Sequence, residues 1–197
     1  MKSNLAKIFL ATSLACACSF ADEGAFIGIG GGYNFAGDVD VSGVGSLDSV
    51  KQGVISVKGG YDFGDFRAYS QYNYNTKYSE EVYTNDTLIA KGELSGHELL
   101  VGADYTPALS SNLKLAVGPY MGLSLLKVSL SDGEFSDSQT QKGFIVGGHV
   151  GLIIDSEIGQ FEAGIKADKS WHNGTSDWPD FDKSTFGGYA GYNYKFN

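Results

Sequence analysis

Period-two alternation recurs in eight segments of this 197-residue chain and constrains its fold more than any other feature. In "AFIGIGGGYNF" the odd positions Ile27, Ile29, Tyr33 and Phe35 are bulky and apolar, whereas Gly28, Gly30, Gly32 and Asn34 are small or polar. A strand with two unlike faces produces this pattern, because successive side chains point to opposite sides. Next, Ile55, Val57, Tyr61 and Phe63 oppose Gln52, Ser56, Lys58 and Asp62, and Phe66, Ala68, Tyr72 and Tyr74 oppose Arg67, Gln71, Asn73 and Asn75. Leu99, Val101, Ala103 and Tyr105 stand against Glu98 and Asp104; Leu113, Leu115, Val117, Met121 and Leu123 stand against Lys114, Gly118, Tyr120 and Ser124. Phe144, Val146, Val150, Leu152 and Ile154 face away from Gly147, His149 and Gly151, and Phe161, Ala163, Ile165 and Ala167 from Glu162, Lys166 and Asp168. The last segment sets Phe186, Ala190, Tyr192, Tyr194 and Phe196 against Thr185, Asn193 and Lys195. It is expected to pair with 25–35 and close the sheet.

The connections alternate in length. Gly64-Asp65, Thr106–Asn112 and Asp155–Gly159 are short, with Gly64-Asp65 reading as a tight turn. The links over 36–50, 79–92, 128–142 and 172–184 are long. An even number of strands, with short turns at one end and long loops at the other, describes an up-and-down meander. Composition agrees: 28 glycines, 3 prolines and 24 Tyr plus Phe favour strands.

Alternation alone does not say which face is inside; a soluble barrel turns its apolar face inward around a ligand. Two features favour the opposite arrangement. The apolar face carries rings near the short turns, at Tyr61, Phe63, Phe66, Tyr105, Phe161, Tyr192, Tyr194 and Phe196. Such a girdle suits a membrane interface. The other face carries Lys58, Arg67, Lys114, Lys166 and Lys195 with Asp62, Glu98, Asp104, Glu162 and Asp168, an equal set of charges able to pair in a narrow lumen. The expected fold is therefore all-β: an eight-stranded antiparallel up-and-down transmembrane β-barrel with short periplasmic turns and four longer external loops. Its interior should be packed and salt-bridged rather than a wide channel, with the lumen glycines making room for long side chains. Pro119 would remove a ladder hydrogen bond in mid-strand; a local bulge could absorb it, but the sequence does not specify one.

Residues 1–21 read separately. Lys2 and Lys7 precede and flank a short apolar run, Ile8 to Ala17, and Ser19-Phe20-Ala21 matches a small-x-small cleavage site. A signal peptide cut between Ala21 and Asp22 is expected, leaving 22–197 as the barrel domain. Cys16 and Cys18 fall inside that segment. Ala15, where lipoprotein sites usually carry Leu, argues against acylation of Cys18, so the mature chain is expected to lack cysteine. Loss of the two lysines moves the net charge from −9 to −11. That acidity argues against a nucleic-acid partner.

"FIGIGGGYNF" after the signal segment, "GPYMGLSL" at 118–125 and the aromatic last strand resemble the small outer-membrane β-barrel family of opacity-type, porin-like proteins, itself similar to the OmpA-type membrane domain. Similar proteins often carry Pro-Tyr in the fifth strand, as at Pro119-Tyr120. The resemblance implies an outer membrane and insertion by the barrel-assembly machinery; the expected protein is a monomer of a Gram-negative outer membrane, in contact with its lipid and lipopolysaccharide and without cofactor. Family members usually end on the aromatic itself; here Asn197 follows Phe196.

Other signals are weaker. "GIGGGY" has Tyr33 where a dinucleotide-binding turn needs glycine, and no helix follows. His149 reads as a hydrogen-bonded structural side chain, and His97 and His172 lack metal-ligand spacing. "SWHNGTSD" brings His172 near Ser176 and Asp177 in sequence, without matching a known outer-membrane enzyme pattern. Each long loop carries three acids: Asp38, Asp40, Asp48; Glu80, Glu81, Asp86; Asp132, Glu134, Asp137; Asp177, Asp180, Asp182. They suit solvated loops, or divalent cations shared with lipopolysaccharide phosphates. A structural and surface-display role is expected, with adhesion to a host or cell-surface ligand through the loops as the alternative. A narrow porin or a lipid-modifying enzyme ranks below both.

Overall fold

A computed structural model describes residues 23–41, 45–47, 50–84, 87–131, 136–174 and 180–196. Among them eight long strands form the wall: β1 (Gly24–Val41), β3 (Gln52–Asp62), β4 (Phe66–Thr84), β5 (Thr87–Tyr105), β7 (Leu113–Ser131), β8 (Ser136–Ser156), β9 (Gly159–Asn173) and β10 (Phe181–Lys195). Two three-residue strands, β2 (Gly45–Leu47) and β6 (Ala108–Ser110), lie against β1 and β7. Each long strand pairs antiparallel with its sequence neighbour in the wall, and β1 pairs with β10 from Phe26↔Lys195 to Val41↔Phe181. The closing strand is therefore the aromatic C-terminal segment, as its alternation required. Closure leaves no open edge, which backbone groups facing lipid could not tolerate.

The short turns match the sequence reading. Phe63 N–H donates to Phe66 O at 2.7 Å around Gly64-Asp65, and Gly64 takes a φ of 89° that favours glycine. Ser156 pairs with Gly159 around Glu157-Ile158. The signal segment and Asn197 lie outside the described residues.

The long connections differ from expectation in their substance. A membrane strand needs about 9–11 residues, yet β4, β5 and β7 have 19 each and β8 has 21. β4 and β5 stay paired to Thr84↔Thr87, and β7 and β8 to Ser131↔Ser136. Much of what reads as loop is thus wall, extended past the membrane on one side.

Two bulges in this outer part change which residues point inward. The β1–β10 register shifts between Asn34 and Ala36, so Val39 is buried while Ala36 and Asp38 are exposed. The β4–β5 register shifts between Asn75 and Tyr78, turning Tyr78 inward. No bulge forms at Pro119. It stays in register with Gly148 of β8, and on the β5 side Gly102↔Tyr120 and Tyr105↔Val117 keep one register, with the ladder lapsing between them. The missing N–H is accommodated by a gap in one ladder, not by an extra residue.

Candidate functional site: the filled lumen

The two faces of the wall are chemically opposite. Ile29, Val57, Val101, Leu123, Val150 and Ile165 are exposed on the outside, Leu123 at 62%. The eight rings at the short-turn rim also face outward and pair off: Tyr61 with Phe63, Phe66 with Tyr105, Phe161 with Tyr192 and Tyr194 with Phe196, their centroids 4.7–5.3 Å apart. Tyr192 OH also donates to Ile158 O. A second aromatic group at the other end of the apolar belt was not singled out from sequence. There Phe35 meets Phe186 edge-on at 5.0 Å, Tyr72 OH bonds His97 Nδ1 at 2.7 Å, and Lys169 lies 5.6 Å from the Trp171 ring. Two aromatic levels around an uncharged apolar band are what a bilayer with two interfaces selects.

The ten charged residues assigned to the lumen divide into four groups. Arg67 is buried at 1% exposure and donates to Asp104 Oδ2 at 2.7 Å and Glu162 Oε2 at 3.0 Å. Lys58 adds a 2.8 Å bond to Glu162 Oε2, and Asn193 donates to the same oxygen at 3.2 Å. At the short-turn mouth Lys195 reaches Asp62 at 3.1 Å, and Lys114 lies 4.0 Å from both Asp62 and Asp155. Asp168 accepts from Thr185 at 2.6 Å and Tyr120 at 2.9 Å, with Lys166 at 3.6 Å. Glu98 is held by amides instead, Asn73 at 2.9 Å and Asn75 at 2.7 Å.

Apolar packing supplies what charge pairing does not. Phe26 points inward, its ring 5.5 Å from the Arg67 guanidinium. Leu100, Tyr120 and Ile145 form a buried cluster within the lumen. Toward the long connections Val39, Val50, Leu126 and Phe181 form another, with Tyr78, Leu94 and Val128 packed against it. Lys183 lies in this upper region and donates to Gln52 Oε1 at 2.7 Å, while Gln52 Nε2 donates to Thr76 O and Leu94 O. Leu100, Leu126 and Ile145 stand at lumen-facing positions of the alternation, where the charged residues around them mask the apolar signal. Between the layers remains a cavity of about 60 Å³, bordered by Lys58, Tyr69, Tyr120, His149, Glu162 and Tyr189. It has room for a few waters or one small ion.

The three histidines have different surroundings. His97 faces outward beside Tyr72 and Tyr74. His149 faces Asp104 in the lumen, with Nε2 3.2 Å from Oδ1, an ion pair when the imidazole is protonated. His172 Nε2 lies 3.0 Å from Ser124 Oγ. A serine–histidine contact is one element of nucleophilic catalysis. Here both side chains are buried and Phe181 stacks on the imidazole at 4.6 Å, so the hydroxyl has no open approach. Ser176 and Asp177 lie outside the described residues.

No family model and no curated protein sequence matches the chain. Solved structures do. Neisserial surface protein A superposes with a TM-score of 0.53 at 20% identity, covering 88% of this chain and 99% of that one. Ail, the attachment invasion locus protein of Yersinia pestis, gives 0.53 at 17% identity over 87% and 98%. Outer membrane protein H of P. aeruginosa gives 0.51 at 21% identity over 88% and 99%. At these identities the likeness is one of fold: a small outer-membrane β-barrel spanning nearly the whole of each relative.

Proposed function

We propose that this chain, folded as a small outer-membrane β-barrel, serves as a non-conducting, non-catalytic wall element of a Gram-negative envelope. In this reading it is exported by a signal peptide cut between Ala21 and Asp22, inserted by the barrel-assembly machinery, and monomeric. Its role is structural, with display of the outer ribbons at the cell surface. The observation that supports it is the filled lumen: ion pairs around Arg67 below, and side chains around Leu126 and Phe181 above, occupy the space a channel would need. Outward-facing Lys77, Lys127 and Lys142 on the long-connection side of the apolar belt, and Lys169 at its edge beside Trp171, suit lipopolysaccharide phosphates. The acids nearer the loop tips suit divalent cations shared with the same phosphates.

Two comparisons test the role. Removing the whole barrel should sensitise cells to detergent, whereas trimming residues 80–91 should not; equal resistance in all three strains contradicts an envelope role. Asp132→Asn with Asp137→Asn should weaken calcium-dependent retention of the protein in the outer membrane, and unchanged retention removes the cation-sharing element.

Adhesion is the second reading, favoured by the β4–β5 ribbon, which keeps paired residues out to Thr84↔Thr87 and so projects as a stiff element. If trimming 80–91 abolishes binding to host or neighbouring cells while unboiled gel mobility stays that of a folded barrel, adhesion replaces scaffolding as the main role.

A further inference from the structure

Asp104 on β5, His149 on β8 and Glu162 on β9 converge from three strands, and we propose that they bind a first-row divalent cation of the zinc type, bracing the barrel across its lumen. One ligand atom from each residue lies within 4.8 Å of the other two, and all three residues are buried. Each carboxylate is engaged through one oxygen: Asp104 Oδ2 by Arg67, and Glu162 Oε2 by Lys58, Arg67 and Asn193. Asp104 Oδ1, Glu162 Oε1 and His149 Nε2 are buried without a hydrogen-bond partner.

The separation of two of these atoms is informative. Asp104 Oδ1 and His149 Nε2 stand 3.2 Å apart without aligning as a hydrogen bond. A positive centre accounts for that approach: a proton on His149, which makes the contact an ion pair, or a cation held between two lone pairs. A tetrahedral ion with ligand bonds of about 2.0–2.1 Å sets its ligand atoms roughly 3.3 Å apart. The unpartnered Glu162 Oε1 is the third ligand, drawn in by a small adjustment of the cluster, and the adjoining cavity leaves the fourth position to water.

The surroundings favour such an ion over calcium or magnesium. An imidazole nitrogen with two single carboxylate oxygens suits zinc-like metals, while calcium needs six to eight oxygens and magnesium a near-ideal octahedron. Arg67 and Lys58 become the outer partners that fix the ligating carboxylates. They also balance the two carboxylate charges, so the ion adds charge to a neutral cluster and must be held by coordination rather than by net attraction. No single stretch of sequence signals the site, because its ligands come from three strands and meet only on closure.

The test uses the full chain refolded in detergent with Co2+, with Zn2+ or with EDTA, its folding checked by unboiled gel mobility. The expected result is one ion per chain, visible d–d bands of tetrahedral Co2+ that Zn2+ displaces, and a thermal midpoint that rises with metal and falls with EDTA. His149→Gln should weaken Co2+ binding more than about 100-fold, beyond the loss of an outer partner. His97→Ala, at an outward-facing imidazole, should leave binding unchanged. Wild-type protein without bands or retained ion overturns the proposal, because a water or a proton on His149 then occupies the gap. Binding that survives His149→Gln, or disappears with His97→Ala, overturns it as well. Should His149→Gln fail to fold, the bands and the EDTA response of the wild type still decide.

Discussion

Near the short turns the lumen is filled by Arg67, Asp104, Glu162 and Lys58, whereas toward the long connections it is filled by Val39, Val50, Leu126 and Phe181. The lower part lies inside the lipid-facing wall and uses ions; the upper part lies within the extended ribbons and uses hydrocarbon. Each choice follows from what its strands present on the other face. In the lipid-facing part most apolar residues are committed outward, so the inward positions are largely polar and must satisfy one another, with Phe26 and the cluster of Leu100, Tyr120 and Ile145 packed among them. Beyond the belt the wall meets water on its outside, so apolar residues can turn inward as in a soluble domain. The bulges at Asn34/Ala36 and Asn75/Tyr78 make that reversal for Val39 and Tyr78. The two fillings should therefore fail differently.

The largest effect is expected in the lower part. Arg67→Met leaves Asp104 and Glu162 short of a buried partner and should cost about 3–5 kcal/mol, read from urea unfolding of the folded protein in detergent. A loss below about 1 kcal/mol would mean that the cluster is hydrated rather than dry. Leu126→Ala, which opens a cavity in the upper cluster, should cost about 2–3 kcal/mol. Combined with Arg67→Met, its effect should add to within about 0.5 kcal/mol, because the two fillings share no partners. Strong coupling in that double-mutant cycle would show that they act as one unit.

Gly147→Ala probes the space between them. A Cβ at Gly147 would sit 2.5 Å from the Tyr120 ring and 2.7 Å from Ala167 O. Overpacking there should cost about 1–3 kcal/mol, again by urea unfolding. The smallest effect belongs to the outer surface. Lys77 and Glu93 approach to 2.5 Å, but the Lys77 side chain is 57% exposed. Its replacement by alanine should change stability by less than about 0.5 kcal/mol after solvent screening, and the change should vanish at high salt.

The wall was legible from the alternation, because lipid outside and side chains inside impose a period of two along every crossing strand. The pairing of the last strand with the first follows once the aromatic segment must close the sheet; the register that sets Phe26 opposite Lys195 does not. Lumen facing was legible for the same reason, down to Lys58, Asp104 and Glu162. Three things were not. The extended ribbons were hidden because their sequence is polar and glycine-containing, and outside the membrane nothing forces alternation. The bulges were hidden because they flip the facing of Val39 and Tyr78 without a distinctive residue. The division of ten charges into separate groups was hidden because it depends on height in the barrel, which the strand register sets and local pattern does not. Lys183 belongs to this last kind: read as part of a loop, it lies buried on β10 against Gln52 of β3.

Single-channel recording in planar bilayers tests the filled lumen most directly. Folded protein should insert without giving stable ohmic steps, and Arg67→Met combined with Leu126→Ala should allow at most brief openings. Steady conductance from the unmodified chain, scaling with salt concentration, would contradict the account.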